Sequence, residues 1–393
     1  MDVASTPVDD QPVRGRSLGL AIAFLTFTRL VVNTAHRFVF PFLPAISRGL
    51  GISLEQGGLL VSARSVAFVA TPAVVASAGS GERRVRLAVW ALGMMAVGAF
   101  ITAATGFYLG ALAGFILLGL GKPSFDAAAQ AYIADRTPYE RRARYMSILE
   151  LTWAGGLLLG APLAGRLIDS FGWEAPFWVV GVLITATMVA TPALLEADAP
   201  QGESARVRLM LDRRRWSLLI FAALFSLAAE TTFIVFGAWL EDGFSLSLAA
   251  LGLASILIGI AEMTGEGAVL AFADHIGKLR MVTWGLGASV VGYLAMAPAS
   301  SSLGIGLAVL AVTFIAFEIT IVSAIPLASE LAPTARTRYL ALLMVALGIG
   351  RAIGDVLGPI LFTWKGMPAN SIVSAAGAFA ALLVVLAAGR EPS

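Results

Sequence analysis

No cysteine occurs in the 393 residues, so a disulfide framework, thiolate chemistry and thiolate-held metals are all excluded. Histidine is almost as scarce. The two present, His36 and His275, are too few for an imidazole-rich metal site. Charge is thin as well: Asp, Glu, Lys and Arg make up 13 % of the chain, against about 25 % in an ordinary globular protein. Basic and acidic groups nearly balance, 27 against 25, and a net charge of +2 is no footprint for a nucleic acid. Apolar residues fill the space. They amount to 58 % of the chain, and mean hydropathy is +0.85. A soluble protein could not bury so much apolar side chain and still cover itself with polar groups. These side chains must face lipid.

A helix crossing a bilayer needs about 20 mostly apolar residues. Twelve segments meet that demand: 18–44, 57–78, 86–104, 107–131, 145–167, 174–195, 216–240, 249–272, 280–298, 302–328, 339–362 and 370–388. Helix is expected rather than strand, because a helix satisfies its backbone hydrogen bonds within one segment. The alternating short segments of a β-barrel are missing. The expected fold is therefore an all-α polytopic membrane protein of twelve transmembrane helices. The polar start, Met1–Ser17, is expected to be a cytoplasmic tail rather than a cleaved leader, because the apolar stretch after it is full-length.

Lys and Arg set the orientation. With the N-terminus inside, 19 of the 27 fall on the inner side, and only Arg48, Arg166 and Lys365 fall outside. Both termini are expected in the cytoplasm. The longest polar stretch, 196–215, reads as a linker between two six-helix bundles, 18–195 and 216–388, with 389–393 as a second tail. The bundles also repeat each other at an offset of 195 residues. Asp135, Pro138 and Arg141 after the fourth span match Glu330, Pro333 and Arg336 after the tenth, and Gly155 falls on Gly350. Parallel repeats of this kind place a binding site near the midplane between them.

Three local patterns carry a family resemblance. Ala131–Pro138, AYIADRTP, is followed by Arg141. Gly155–Gly165 reads GGLLLGAPLAG, and Asp274–Arg280 reads DHIGKLR. With these, the chain resembles the major facilitator superfamily from about Leu18 to Ala388. The first pattern is similar to that family's loop between helices 4 and 5. The second resembles the helix-5 motif of its proton-coupled exporters, and the third its signature loop, here between helices 8 and 9. The resemblance implies two bundles rocking about a central site, with the helix-5 face as hinge. The loop between spans 2 and 3, 78–86, lacks the family's acid. Independently of the family, Gly155, Gly160 and Pro162 allow a close helix contact and a bend. Asp274 with Lys278 and Arg280 can latch a helix end, or can form a plain solvated turn.

Ionisable side chains inside spans are costly and usually functional. Span 1 carries Arg29, Asn33 and Arg37 at i, i+4 and i+8, with His36 beside them. Such a stripe needs a water-filled cavity or a partner. With Arg64, Glu230 and Arg351 these residues are the candidate substrate contacts. Lys122 and Asp126, and likewise Arg351 and Asp355, are four apart and able to neutralise each other along one helix face. Lys122, Asp126, Glu150 and Asp355 are also candidate gate residues. Glu262 and Glu266 share a face, where two close carboxylates rarely ionise together. With Glu318 they are candidate proton carriers, or else partners of Arg29, Arg37 or Arg64. Arg37 itself either binds an anionic group of the substrate or bridges to a carboxylate of the second bundle.

The functional expectation is a secondary transporter in the bacterial cytoplasmic membrane. It moves a small organic solute of anionic, zwitterionic or amphiphilic character by alternating access. Export by proton antiport is expected first and import by symport second. No Gly-x-x-x-x-Gly-Lys-Ser/Thr motif is present to drive a primary pump. A membrane enzyme or receptor is the remote alternative, and no catalytic residue, metal or cofactor is expected. Expected partners are the solute, protons and membrane lipid, with the chain acting as a monomer and binding no nucleic acid.

Overall fold

The computed structural model describes residues 15–77, 82–137, 139–196 and 211–389. Pro138, most of the inter-bundle linker and the chain tails lie outside these residues. All regular structure among the described residues is helical. The first set comprises α1 (Gly15–Arg37), α2 (Val39–Gly49), α3 (Leu54–Ser77), α4 (Glu82–Thr105), α5 (Tyr108–Arg136), α6 (Tyr139–Gly155), a π-helical turn (Gly156–Gly160), α7 (Ala161–Phe171) and α8 (Ala175–Leu194). The second set comprises α9 (Arg213–Phe233), α10 (Phe236–Phe244), α11 (Leu248–Ile276), α12 (Lys278–Ala299), α13 (Leu303–Leu331), α14 (Arg336–Lys365) and α15 (Met367–Gly389). Eleven stretches of described helix are long and apolar enough to cross a membrane. Large apolar side chains such as Trp90 and Leu270 stand 71 % and 87 % exposed around the outside. A lipid-facing surface accounts for them.

Three expected spans are interrupted, and proline explains two of the interruptions. Pro41 has no N–H for the carbonyl of Arg37, and the helix breaks at Phe38 between α1 and α2. Span 1 is thus two helices, not one. Pro162 likewise has no N–H for Leu158, and the ladder just before it widens into the π turn. The third break, between α9 and α10, falls at Ile234–Val235 without a proline. It starts one residue after Phe233, which stands 195 positions after Phe38, so the internal repeat extends to its irregularities. The two breaks face each other: a Cβ added to Gly237 would lie 2.2 Å from the carbonyl oxygen of Pro41. Arg213–Arg215, read as linker, instead form the first turn of α9, where the Asp212 carboxylate caps the Arg215 N–H at 2.8 Å.

The hydrophobic core is continuous at one end and divided at the other. One cluster joins α2, α7 and α8 of the first set to α10, α11, α13 and α15 of the second. The other two clusters each stay within one set, one running from α1 to α8 and the other from α9 to α15. The sets touch through α2 with α10, α3 with α14, and α6, the π turn and α7 with α11. At the joined end Arg48 of α2 pairs with Glu241 of α10 at 2.5 Å. At the divided end the ion pairs stay at home: Arg84 with Asp135, Arg136 with Glu196, and Lys278 with Glu330. The two sets are therefore closed against each other at one end and parted at the other.

Small residues set the helix spacing where the sets are internally tight. A Cβ added to Gly350 of α14 would lie 2.1 Å from the Ala223 carbonyl oxygen of α9, so the two backbones could no longer pack as they do. Gly350→Ala should lower stability by about 1–3 kcal/mol, the usual cost of overpacking. Gly287→Ala, where nothing lies within 4 Å, should not. Unfolding midpoints of the purified variants in detergent check this, and equal midpoints for both would contradict it.

Candidate functional site

Between the sets, at the α1/α2 and α9/α10 breaks, lies a small cavity of about 50 Å³. That volume holds a few waters but no drug-sized solute, for which pockets of about 300 Å³ or more are usual. Its polar wall carries His36, Arg37, Arg64, Glu230, Glu262 and Arg351. Its apolar wall is aromatic, with Phe233 and Phe314 stacked at 3.9 Å between ring centroids and Phe317 edge-on to Phe233 at 5.3 Å.

Arg37 is the last residue of α1, where the helix dipole favours a cation. Its guanidinium grips Glu262 of α11 with both terminal nitrogens, one of them at 2.5 Å, and so joins the two sets. The same side chain donates to the Trp153 carbonyl at 2.9 Å and lies 4.3 Å above the indole ring. Arg37 and Glu262 are 4 % and 2 % exposed. Arg64 of α3, 1 % exposed, donates to the His36 carbonyl at 2.7 Å and lies against the ring of Phe40. The polar stripe of span 1 thus has a partner as well as a cavity. From Arg29 to Glu150, Asn33 to Thr152 and Arg37 to the Trp153 carbonyl, it runs as a ladder against α6.

Several expected pairings are replaced by others. Lys122 and Asp126 do meet at 2.6 Å, but not as an isolated pair. Arg29 joins Asp126 at 3.1 Å and Glu150 at 3.0 Å, and Gln130 donates to Glu150 at 3.2 Å. All five residues belong to the first set, so this cluster braces one set and closes no gate between the two. Arg351 and Asp355 form no ion pair despite their spacing. Asp355 accepts instead from the Ser65 hydroxyl of α3 at 2.6 Å. Glu262 and Glu266 do not share one environment, because Glu262 is buried under Arg37 while Glu266 is half-exposed. Glu318 is buried behind Gly265 and lies off the cavity lining.

The hinge residues divide as well. Gly155 and Gly160 face Leu30 and Thr34 of α1 in their own set, and the contact across the sets is made by Pro162 and Ala161 against Gly252 of α11. Asp274 is exposed, and Lys278 forms the latch of its loop, with Glu330. Gly277, at φ +92°, makes that turn possible. In the first set, where the loop lacks its acid, Arg84 reaches Asp135, the residue that matches Glu330 in the repeat. Sequence reasoning overlooked Ser65, Thr152 and the carbonyl of Trp153, which are common groups with no pattern to mark them. Asn370, donating to the carbonyls of Thr231 and Gly358 at 2.6 and 2.9 Å, was visible as a lone amide in an apolar span. Among the described residues no three His, Asp or Glu stand close enough to hold a metal.

A chain of membrane-crossing helices that encloses a charged central cavity is the framework of a membrane transporter, not of an enzyme. Residues 22–211 match the model of the Major Facilitator Superfamily. The class C tetracycline resistance protein of Escherichia coli is 27 % identical over 279 residues, covering 66 % of this chain and 69 % of the relative. The uncharacterized transporter YwfA of Bacillus subtilis is 24 % identical over 375 residues, covering 91 % and 89 %. Among solved structures, a bacterial homologue of the iron transporter ferroportin in an inward-facing state superposes with a TM-score of 0.73 at 15 % identity, covering 97 % of this chain and all of that one. The POT family transporter PepTSo superposes at 0.75 and 12 %, covering 96 % and 98 %. The family match and these relatives support a major facilitator superfamily transporter, and the chain is a multi-pass protein of the bacterial plasma membrane.

The brace around Arg29 has a measurable worth. Arg29→Ala would leave Glu150 without its cation and Asp126 with Lys122 alone, and should cost about 1 kcal/mol, because Glu150 is 45 % exposed and water screens the charge left there. Adding Glu150→Gln should restore part of that loss. Unfolding midpoints of the two variants in detergent provide the check, and a single variant as stable as wild type would remove the bracing role.

Proposed function

We propose that this chain is a secondary transporter in which two six-helix bundles, 18–195 and 216–388, alternate access to the central cavity. In this reading α3 completes twelve spans and both termini are cytoplasmic. The crowding of Lys and Arg at the Arg84/Lys278 end supports that orientation. The parted end of the core then faces the cytoplasm, and the joined end, with Arg48–Glu241, seals the outside.

One observation carries the reading: the Arg37–Glu262 bridge spans the two bundles at the cavity wall. A transported solute must separate that pair. An anionic group of the solute takes the guanidinium fork of Arg37, and Glu262 receives a cationic group or a proton in exchange. The aromatic wall of Phe233, Phe314 and Phe317 receives the apolar part. A zwitterionic or amphiphilic organic solute fits these demands, with export by proton antiport as the direction. The tetracycline resistance relative supports export, and tetracycline belongs in the test. Import by symport is the second direction, favoured if the solute carries an anionic group alone, since splitting the pair would then leave Glu262 to take up a proton.

A thermal-shift screen of purified protein against amino acids, organic acids and drugs, tetracycline included, should yield a ligand that raises the unfolding midpoint. Arg37→Lys keeps the charge but loses the fork, and should weaken that ligand tenfold or more, since a hydrogen bond to a charged group is worth about 1.5–3 kcal/mol. Undiminished affinity in Arg37→Lys would mean that the bridge is a gate and not a solute contact. Separately, Glu262→Gln should open the cavity to the outside, read as labelling by an impermeant maleimide of Phe236→Cys in this cysteine-free chain. If Glu262→Gln and Arg37→Ala both leave labelling from the two faces unchanged, alternating access about this bridge is wrong.

A further inference from the structure

Arg64 brings more to the cavity than its one hydrogen bond requires. Its Nη1 donates to the His36 carbonyl beside the α1/α2 break at 2.7 Å. The internal repeat shows what that bond alone demands. His36 stands 195 positions before Thr231, whose carbonyl borders the α9/α10 break. There the Val235 N–H turns to the Thr232 carbonyl at 3.3 Å, so Thr231 has lost its helical donor, and the neutral amide of Asn370 meets it at 2.6 Å. A carbonyl at such a break thus needs an N–H donor and no charge. Nor is the cation a repeat feature, since Arg64 corresponds to Gly259. Its charge is surplus to the cap. The Nε–H meets no acceptor, and no carboxylate stands at ion-pair distance among the described residues. A buried charge left so is costly, and the faces of Phe40 and Phe115, 5.2 and 6.0 Å away, offer only partial compensation.

A second guanidinium faces the same cavity. Arg351 of α14 lines it, and makes no hydrogen bond or ion pair with the described residues. Helices α3 and α14 run antiparallel: Ser62 donates to the Ala352 carbonyl at 2.8 Å, and further along α3 the side chain of Val69 lies 2.6 Å from where Gly348 would carry a Cβ. Arg64 and Arg351 therefore stand level across this seam, one from each bundle. On the cavity lining three guanidinium groups face two carboxyl groups, and Arg37 already holds Glu262. Glu230 makes no ion pair with either remaining arginine, and Asp355 accepts from Ser65 and lies off the lining.

We propose that Arg64 and Arg351 form an anion subsite across the α3–α14 seam, which takes a carboxylate or phosphonate-type group of the solute while the Arg37–Glu262 bridge is still closed. The proposal rests on the transporter reading above and deepens it, because it makes an organic anion the substrate class. Two guanidinium forks suit an oxyanion, and the aromatic wall of Phe233, Phe314 and Phe317 suits an apolar body attached to it. Arg64 keeps its cap on His36 throughout, since the oxyanion takes other N–H groups. One arginine comes from each bundle, so an oxyanion held by both ties the seam and must leave one of them when the bundles part there.

Benzoate and phenylphosphonate are the probes, with the neutral isostere benzamide and with chloride for comparison. Each is titrated against the unfolding midpoint of the purified full-length protein, which a ligand of the folded state raises. Both organic anions should raise it, and benzamide should not. Arg64→Gln keeps an N–H for the His36 carbonyl, as Asn370 does for Thr231, so its unliganded midpoint should not fall. Its affinity for benzoate should nonetheless drop about tenfold or more. Arg351→Gln, which has no partner to lose, should weaken benzoate likewise, and Arg64→Lys should retain part of the affinity that Arg64→Gln loses. No shift from either anion in the wild type, an equal shift from benzamide, or full benzoate affinity in Arg64→Gln or Arg351→Gln overturns the subsite. Chloride that reproduces the whole shift makes this an inorganic-anion site and overturns its assignment to the solute. Maleimide labelling of Phe236→Cys is read separately. If it responds to Arg37→Ala while the titrations fail, the subsite is wrong and alternating access stands. If it does not respond although benzoate binding depends on both arginines, the transporter reading falls and takes the role in transport with it.

Discussion

A guanidinium cannot shed its proton at membrane depth, and that constraint organises the interior of this protein. Arg29, Arg37 and Arg64 are permanent cations on helices that lie against lipid on one side, so each must be met by an oxygen on the other. Arg29 finds its oxygens within its own bundle, on α5 and α6, and the result is a brace. Arg37 finds a carboxylate only across the cleft, on α11, and the result is a bridge that must break if the bundles move. Arg64 takes a backbone carbonyl beside the α1 break and aromatic faces, and has no carboxylate at ion-pair distance. The same residue type thus serves three purposes according to where the complementary oxygen lies.

Much of this was legible in the sequence, and the legible part has a common cause. Lipid imposes helix and span length on any apolar run, and a charge in such a run announces itself. Arg29, Asn33, Arg37, His36 and Glu262 stood out for that reason, and the structure brings Arg37 to Glu262. Partner choice was less legible. Spacing four apart pointed to Arg351–Asp355, yet Asp355 turns to Ser65, because close packing at Gly58 draws α3 onto α14. Local periodicity records which side chains share a face. It does not record which helix comes to occupy that face. Likewise Gly155 and Gly160 announced a close contact but not its direction, which proved to be α1.

The internal repeat is kept where it bears mechanical load. Asp135 and Glu330 both receive a cation from the start of the helix preceding their own, and Phe38 and Phe233 both mark a break in the first span of their bundle. Charge does not follow the repeat. Arg37 corresponds to Thr232, and Asp355 to Gly160. Symmetry therefore governs the scaffold, while the two faces of the cleft have diverged into a cationic side and an acidic side.

The π-helical turn at Gly156–Gly160 has a further consequence. A π turn accommodates one residue more than an α-helical turn, so relaxing it to α-helix would shift the backbone register by one position. Everything beyond it would rotate by about 100° about the helix axis, the angle per residue of an ordinary helix. The surface that α7 offers to α11 would then no longer be the Ala161–Pro162 backbone fitted against Gly252, but a neighbouring row of side chains. Span 5 thus contains a screw thread of one-residue pitch, placed between the charged cavity and the joined end of the protein.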